Sequence, residues 1–287
     1  MATRTALILA GGVGSRLRPL SSDENPKQFL RIFDGASLLQ KTYGRVARLM
    51  DRSSIFISTN EQYASKCAAE LPLVPEVNIL TEPARRNTGP AIAVCCFAIE
   101  AVFGDAVIAV LASDHYIADE DEFVRVLSRA YDLAAANDSL VAIGIEPTEP
   151  NTGFGYLELG DEIEPGVNEL RRFTEKPSRV IAEQFLKAGN YLWNASMFVW
   201  RASVFRRALE TAAPEIASLA DRLVSSGDPA KRVEHYEAMP SISIDYALME
   251  KAPNVAAIRG DFGWSDVGTF AALERAGVPV AELLRNR

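Results

Sequence analysis

Hydrophobic positions in the first half of the chain follow two alternating periods. Short apolar runs recur at Thr5–Ala10, Ser54–Ser58, Val77–Leu80, Val107–Ala112 and Leu140–Ile145. Two of them, TALILA and VIAVLA, carry almost no polar alternation, which is the pattern of a strand covered on both faces. Between the runs, Ser37–Met50, Glu61–Leu71, Gly89–Phe103 and Asp121–Ala136 space their apolar residues as helices do. Gly89–Phe103 is apolar nearly all round and reads as a buried helix. Strands that alternate with helices predict βαβ units, hence an α/β fold with a Rossmann-like, mainly parallel central sheet and helices on both faces.

The rhythm changes after Glu146. Pro147, Pro150, Gly153, Gly155, Pro165 and Gly166 punctuate short strands around Phe154–Leu159 and Leu170–Glu175. A helix fits Ser178–Ala188, a strand Leu192–Trp200, and helices fit Ser203–Ala212, Ala217–Ser225 and Ile244–Glu250. This half is expected to continue the same sheet and add a β-rich and helical lobe. Val278–Arg287 reads as the start of a further element. No repeat, low-complexity tract or flexible linker divides the chain.

Composition narrows the partners. Of 287 residues, 48% are apolar and the formal net charge is −8, so a packed core is expected and disorder is not. An acidic chain is a poor ligand for nucleic acid or an anionic membrane surface. The longest apolar stretch, Pro90–Ile99, is far short of the roughly 20 residues of a membrane span. The N-terminus lacks the charged, apolar and cleavage regions of a secretory signal, which makes the cytoplasm the default compartment. Three cysteines (Cys67, Cys95, Cys96) without a CxxC pair give neither a disulfide framework nor a zinc site.

Against that acidic background, three glycines and three cations gather behind the first strand, in LAGGVGSRLRPL followed by Lys27. Gly11, Gly12 and Gly14 fall where a parallel strand ends, the edge at which open α/β sheets bind ligands. Glycine lets backbone N–H groups approach an anion, and Arg16, Arg18 and Lys27 supply charge. A plain surface turn with solvated arginines is the alternative. The loop is not a P-loop, since the chain has no Gly-Lys pair. It is not a dinucleotide fingerprint either, since Leu17 stands at the third glycine position. Pro19–Pro26 is too polar for a helix opening directly on the loop.

Two aspartates extend the picture. Asp114 follows VIAVLAS at a strand end, and Asp266 sits in GWSDVG before the helical stretch Thr269–Arg275. Each has a plain reading as a helix N-cap. Together they read as oxygen ligands for Mg²⁺, which is held by one or two carboxylates plus substrate phosphates. His115 is read as positioning its loop, because two histidines without HExxH do not make a zinc site. Trp193, Trp200 and Trp264 are assigned to the core.

Eight segments, in order and spanning nearly the whole chain, now match one family. They are LAGGVGSRLRPLS with PKQFL, EPARRNTGPAI, SDH, PTEPNTGFGY, FTEKP, YLWNASMF, SIDYALME and GWSDVG. The chain resembles the sugar-phosphate nucleotidyltransferases, and within them the mannose-1-phosphate guanylyltransferase branch. The resemblance implies transfer of GMP from GTP to α-D-mannose 1-phosphate, giving GDP-mannose and pyrophosphate. It implies one nucleotidyltransferase domain over 1–287, with a nucleotide-binding half (1–146), a sugar-phosphate-binding half (147–287) and no C-terminal isomerase domain.

The implied site follows residue by residue. Gly11, Gly12, Gly14, Ser15, Arg16 and Lys27 would hold the triphosphate, with Leu9 and Asp114 also counted among the nucleotide-binding residues. Glu82, Asn87 and Thr88 would lie by the nucleoside and help select guanine. Asp114 and Asp266 would bind Mg²⁺. Gly155, Glu175, Lys176 and Asn194 would surround the sugar phosphate. Asp245 is read first as an N-cap for the helix Tyr246–Glu250, although the resemblance places it near the sugar as well. Arg16, Lys27, Asp114 and Asp266 would carry the chemistry. The chain departs from the family's usual residues at Ser15 (commonly Thr), Gly89 (commonly Ala) and Ala195-Ser196 (commonly Ser-Gly). The first two are small changes, and the third falls on the expected sugar pocket. A relative acting on another nucleotide or sugar, a non-catalytic nucleotide-sugar sensor and a metal-dependent glycosyltransferase remain alternatives. Partners would be the two small-molecule substrates, with no nucleic acid or membrane; a homo-oligomer is left open.

Overall fold

A computed structural model describes residues 2–285. The first half folds as β1 (Arg4–Leu9), α1 (Leu38–Val46), β2 (Ile55–Asn60), α2 (Glu61–Glu70), β3 (Ile79–Glu82), α3 (Thr88–Phe103), β4 (Val107–Ala112), the short β5 (Tyr116–Ile117), α4 (Glu120–Ala136) and β6 (Leu140–Ile145). The second half adds a hairpin, β7 (Tyr156–Glu164) and β8 (Val167–Thr174), then α5 (Arg179–Ala188) and the long β9 (Tyr191–Arg201). Helices α6 (Ala202–Ala212), α7 (Pro214–Ser225) and α8 (Pro229–Ala238) follow. The chain closes with β10 (Val255–Gly260), β11 (Trp264–Ser265), α9 (Phe270–Arg275) and α10 (Val280–Arg285). Of the expected final element Val278–Arg287, residues 286 and 287 lie outside the described residues.

Nine strands form one sheet in the order β3-β2-β1-β4-β9-β6-β10-β8-β7. Strands β1, β2, β3, β4, β6, β7 and β10 run one way, and β8 and β9 run the other. The chain builds outward from β1 through β2 to β3, then returns to place β4 on the other side of β1. That reversal between β1 and β4 is a topological switch point, where loops diverge and leave a crevice. The glycine loop leaves β1 there, and Asp114 follows β4. Because β9 runs antiparallel between β4 and β6, its first residues reach the same edge, with Asn194 opposite Gly144 near the end of β6.

Strand residues alternate between two apolar layers. Leu7, Ile108, Val110 and Trp200 face α3, α6 and α7, while Ala6, Ile8, Ala109 and Leu111 face α1, α2 and α4. Each fully buried Leu or Ile contributes roughly 1.5 to 3 kcal/mol of apolar transfer energy, so this double layer fixes the scaffold on which the loops sit. No described helix is long and apolar enough to cross a membrane.

Apart from the two-residue strands β5 and β11, two of these elements were missed in the sequence. In α8 (PAKRVEHYEA) only Tyr236 is buried, so no apolar stripe marks the helix. In β10 (VAAIRG) small alanines dilute the β signal, yet the strand is buried beside β6. The expected strands Phe154–Leu159 and Leu170–Glu175 form, shifted, as the β7–β8 hairpin, which turns at Gly166 in a left-handed conformation (φ 73°). The shift leaves Phe154, Gly155 and Glu175 in loops.

Candidate active site

At the switch point, Lys27 joins the glycine loop to both aspartates. Its side chain is only 6% exposed, and its Nζ lies 2.9 Å from Asp114 Oδ2. The same ammonium donates to the main-chain carbonyl of Asp266, 239 residues further along the chain. Asp266 Oδ2 in turn lies 3.6 Å from Arg16 Nη2. The two acidic loops meet because β5 and β11 pair, with Ser265 opposite Tyr116 and Trp264 opposite Ile117. Gly14 adopts a left-handed conformation (φ 68°), and a Cβ there would run into the Lys27 side chain, so only glycine lets the loop fold over the lysine.

Neither aspartate caps a helix. Asp119 caps α4 and Thr269 caps α9, each accepting from a first-turn N–H. Asp266 Oδ1 instead accepts from Gly268 N at 3.2 Å, and Val267 between them is forced to φ 38°. A β-branched residue in that region is a genuine backbone outlier, of the kind found where surroundings over-determine a functional loop. Burial alone would raise the Asp114 carboxyl, but Lys27 and then His115 outweigh it and hold the group below the usual carboxylate range.

His115 has a positioning geometry. Trp264 Nε1 donates to its Nδ1 at 3.1 Å, and the two rings meet edge to face. An accepting Nδ1 puts the proton of the neutral ring on Nε2. Burial pushes the imidazole down to about 4, in spite of Asp114. Trp193 and Trp200 are buried in the core as expected; Trp264 is half-buried and tied to the site. Arg18 pairs with Asp23 at 2.6 Å on the surface, away from the aspartates, so Arg16 and Lys27 are the cations at the site among those the sequence singled out.

A cavity of about 500 Å³ opens on one side, lined by Leu9, Gly11, Gly12, Glu82, Asn87 and Thr88 among others. All six were named from the sequence. Val13, Asn60, Arg85, His115 and Ser196 also line it and were not assigned there. Ser15 is exposed and opens a 3-10 turn behind Gly14. Glu82 ends β3 beneath the glycine loop: a Cβ on Gly11 would sit 3.2 Å from Glu82 Oε1. Asn87 holds a positive φ of 67° while its side chain accepts from Thr88 N, which turns the first residues of α3 toward the cavity.

On the other side lies a second cluster. A Cβ on Gly155 would approach Glu175 Oε2 to 2.5 Å, so this glycine is needed for close packing. Asn194 N donates to Gly155 O at 2.8 Å, and Asn194 Nδ2 donates to Asp245 Oδ1 at 3.0 Å. Lys176, itself at φ 47°, donates to Glu175 Oε1, while Glu175 Oε2 is buried without a partner. A buried oxygen left unsatisfied is costly unless a ligand group completes it. Burial, then Glu175, pushes the Asp245 carboxyl up to about 6. The N-cap reading of Asp245 is overturned: the residue opens a π-type turn, Asp245–Met249, with no side-chain cap bond to it. Ser243, two residues earlier, accepts from Tyr246 N instead.

The Nucleotidyl transferase family model matches residues 5–282. The chain belongs to the nucleotidyl transferase family. Mannose-1-phosphate guanylyltransferase RfbM of Salmonella typhimurium is 39% identical over 276 residues, taking in 93% of this chain and 57% of the relative. Mannose-1-phosphate guanylyltransferase of Escherichia coli K12 is 37% identical over 290 residues, 96% of this chain and 60% of the relative. The chain thus spans less than two-thirds of the length of these relatives. The crystal structure of a Thermus thermophilus protein described as a mannose-1-phosphate geranyltransferase superposes with a TM-score of 0.87 at 33% identity, over 96% of this chain and 79% of that one.

Within the family frame, two departures read differently in three dimensions. Gly89 is not a small change here, because a Cβ would meet Ile242 O at 2.6 Å. Ala195 is fully buried, and Ser196, at φ 51°, lines the cavity beside the glycine loop while its N–H donates to Asn194 Oδ1 at 3.0 Å, so this pair touches both that cavity and the cluster around Asn194.

Proposed function

We propose that this chain transfers GMP from GTP to α-D-mannose 1-phosphate, releasing pyrophosphate and GDP-mannose. One observation carries the reading: Lys27 ties the loops of Asp114 and Asp266 together at the sheet edge that also carries the cavity lined by Gly11 and Gly12. The first half of the chain would hold the nucleotide and the second the sugar phosphate.

In the reaction, an oxygen of mannose 1-phosphate attacks the α-phosphorus in line. The new P–O bond forms as the bond to the bridging oxygen of pyrophosphate breaks. A phosphate monoester has its second pKa near about 6 and is already anionic, so no strong base is needed. That agrees with His115, whose Nδ1 lone pair is engaged by Trp264. The barrier is the meeting of two polyanions and the charge growing on the leaving oxygen. An ammonium has three donors; Lys27 uses two on Asp114 and Asp266, leaving one for the α-phosphate. Arg16, exposed beside Asp266, and the loop amides would steady the departing pyrophosphate. Lys176 would receive the phosphate of the sugar. Glu175 and Asp245, as acceptors, suit sugar hydroxyls.

The donor set fits Mg²⁺. Asp114 and Asp266 offer hard carboxylate oxygens, and among the described residues no group of three or more His, Cys, Asp or Glu forms a closed cage. Such a pair suits an ion that completes its shell with phosphate and water. When bound, Mg²⁺ would neutralise charge on the reacting phosphates. Its holding residues would be Asp114 and Asp266. The cytoplasm, where both substrates occur with reduced thiols, is the compartment that suits this reading.

The test is a panel of five nucleoside triphosphates with mannose 1-phosphate, scored by pyrophosphate release. GTP is expected to be preferred. Preference for another nucleotide, or no release with any, overturns the proposal.

A further inference from the structure

We propose that Tyr236 is a positioning residue for base selection: its hydroxyl fixes the plane of the Glu82 carboxylate under the nucleoside cavity. The inference rests on the nucleotidyl-transfer reading above and adds a residue from a distant helix to it.

Glu82 is held at both oxygens. Ser58 Oγ donates to Oε1 at 3.2 Å, and Tyr236 Oη donates to Oε2 at 2.6 Å. Ser58 belongs to the neighbouring strand β2. Tyr236 comes from α8, a polar helix that buries no other side chain. Its ring, 2% exposed, adjoins a second cavity of about 470 Å³ behind Glu82, lined by Leu80, Val94, Leu223 and Val233 among others. The ring is packed in the apolar core, and the hydroxyl–carboxylate bond is the specific contact that aligns the two groups. Each carboxylate oxygen keeps a second lone pair for a ligand.

The chemistry that uses such a carboxylate is a base edge with adjacent donors. Guanine presents its ring N–H beside an amino group. Adenine presents a lone pair at the corresponding ring nitrogen, and uracil and thymine present one N–H between two carbonyls. A carboxylate fixed in plane accepts both guanine donors and repels the adenine lone pair. One that can rotate discriminates less.

The chain after Tyr236 continues along the same loop. Arg86 Nη2 donates to Glu237 O at 2.6 Å, Gly89 N to Ile242 O at 2.9 Å, and Ile244 N to Thr88 Oγ1 at 3.0 Å. The segment then ends at Asp245, in the Glu175 cluster. Tyr236 thus anchors the start of a strap that braces the nucleoside loop from the sugar side.

The experiment uses the full chain and compares Tyr236→Phe, Glu82→Gln and the double variant, with GTP, ATP and dTTP. Phe keeps the ring and its burial. Tyr236→Phe is expected to raise KM for GTP about tenfold, to move kcat less than threefold, and to lower the preference for GTP over ATP by a similar factor. The double variant is expected to be no worse than Glu82→Gln, because the hydroxyl acts through that carboxylate. A pH series adds a readout that simple loosening of the fold would not move. Burial raises the Glu82 carboxyl, and the hydroxyl bond opposes this. Without that bond the carboxyl rises further, so KM for GTP climbs with falling pH sooner in Tyr236→Phe than in the unaltered protein. Arg85 and Arg86 on the adjoining loop, the Cys95 thiol on α3, and Glu61 and Arg232 around the rear cavity face the pair in both proteins. An active Tyr236→Phe with unchanged selectivity and pH profile overturns the proposal, as does a lowered Tm with unchanged selectivity. Absence of activity in the unaltered protein would instead count against the nucleotidyl-transfer reading.

Discussion

Replacing Lys27 by Met tests the centre of the site. The ammonium is almost wholly buried against a carboxylate 2.9 Å away that is 29% exposed. Methionine keeps most of the length of the side chain and removes the charge and three donors. Taking one partner from a buried pair leaves the other charge uncompensated, at a cost of about 3 to 5 kcal/mol. For a chain of this size that corresponds to a fall in Tm of roughly 5 to 8 °C. Loss of one cationic donor at the reacting phosphate should lower kcat by about 10² to 10³. The carboxyl of Asp114 should rise, since Lys27 is the first of the groups that hold it down against burial. The unaltered protein draws stability from that depressed carboxyl above its unfolded value and loses it as pH falls through its folded value. In Lys27→Met this acid-side loss should shrink. Added Mg²⁺ should stabilise the variant more than the unaltered protein, because the charge of Asp114 then lacks its buried cation. Calorimetry at several pH values and a pyrophosphate-release assay check these outcomes. A variant with Tm and kcat both unmoved would refute the argument that Lys27 links the loops.

Asp114→Asn and Asp266→Asn should each lower kcat by on the order of a hundredfold or more, and a chelator should abolish activity until Mg²⁺ is restored. Near-normal turnover in both variants removes them from the metal role. Gly155→Ala places a Cβ 2.5 Å from Glu175 Oε2 and should raise KM for mannose 1-phosphate at least tenfold with KM for GTP little changed; steady-state kinetics on both substrates separates the two. Asp245, held up near about 6, keeps its proton in the native state while the unfolded chain has already ionised. Its contribution is therefore present below the ordinary carboxylate value of 3.8 and lost as pH rises to about 6. Asp245→Asn should flatten the stability profile across that window in urea titrations.

The sequence was most legible where burial is symmetrical or chemistry is local. VIAVLA and LVAIGI lie between two helical layers, and both strands begin and end at the residues their apolar runs mark. The glycine loop stood out because its glycines and cations gather at a strand end of an otherwise acidic chain. Each misreading has a cause of its own. Polar α8 buries one side chain, so periodicity had nothing to register. Asp245 looks like a cap because a carboxylate just before a helical turn has the usual cap pattern; its bond to Asn194, 51 positions away, leaves no local trace.

By itself, then, the chain determined its alternation of strands and helices, its two-faced core and the loops that carry charge, since each depends on neighbours within a few residues. Tertiary structure decided which loops face one another. The meeting of Asp114 with Asp266 depends on a ribbon of two two-residue strands, too short to leave a periodic signal. The bond from Tyr236 to Glu82 spans 154 positions. Contacts at such separation are set by how layers pack, and packing depends on the summed shape of the core, which no local pattern encodes.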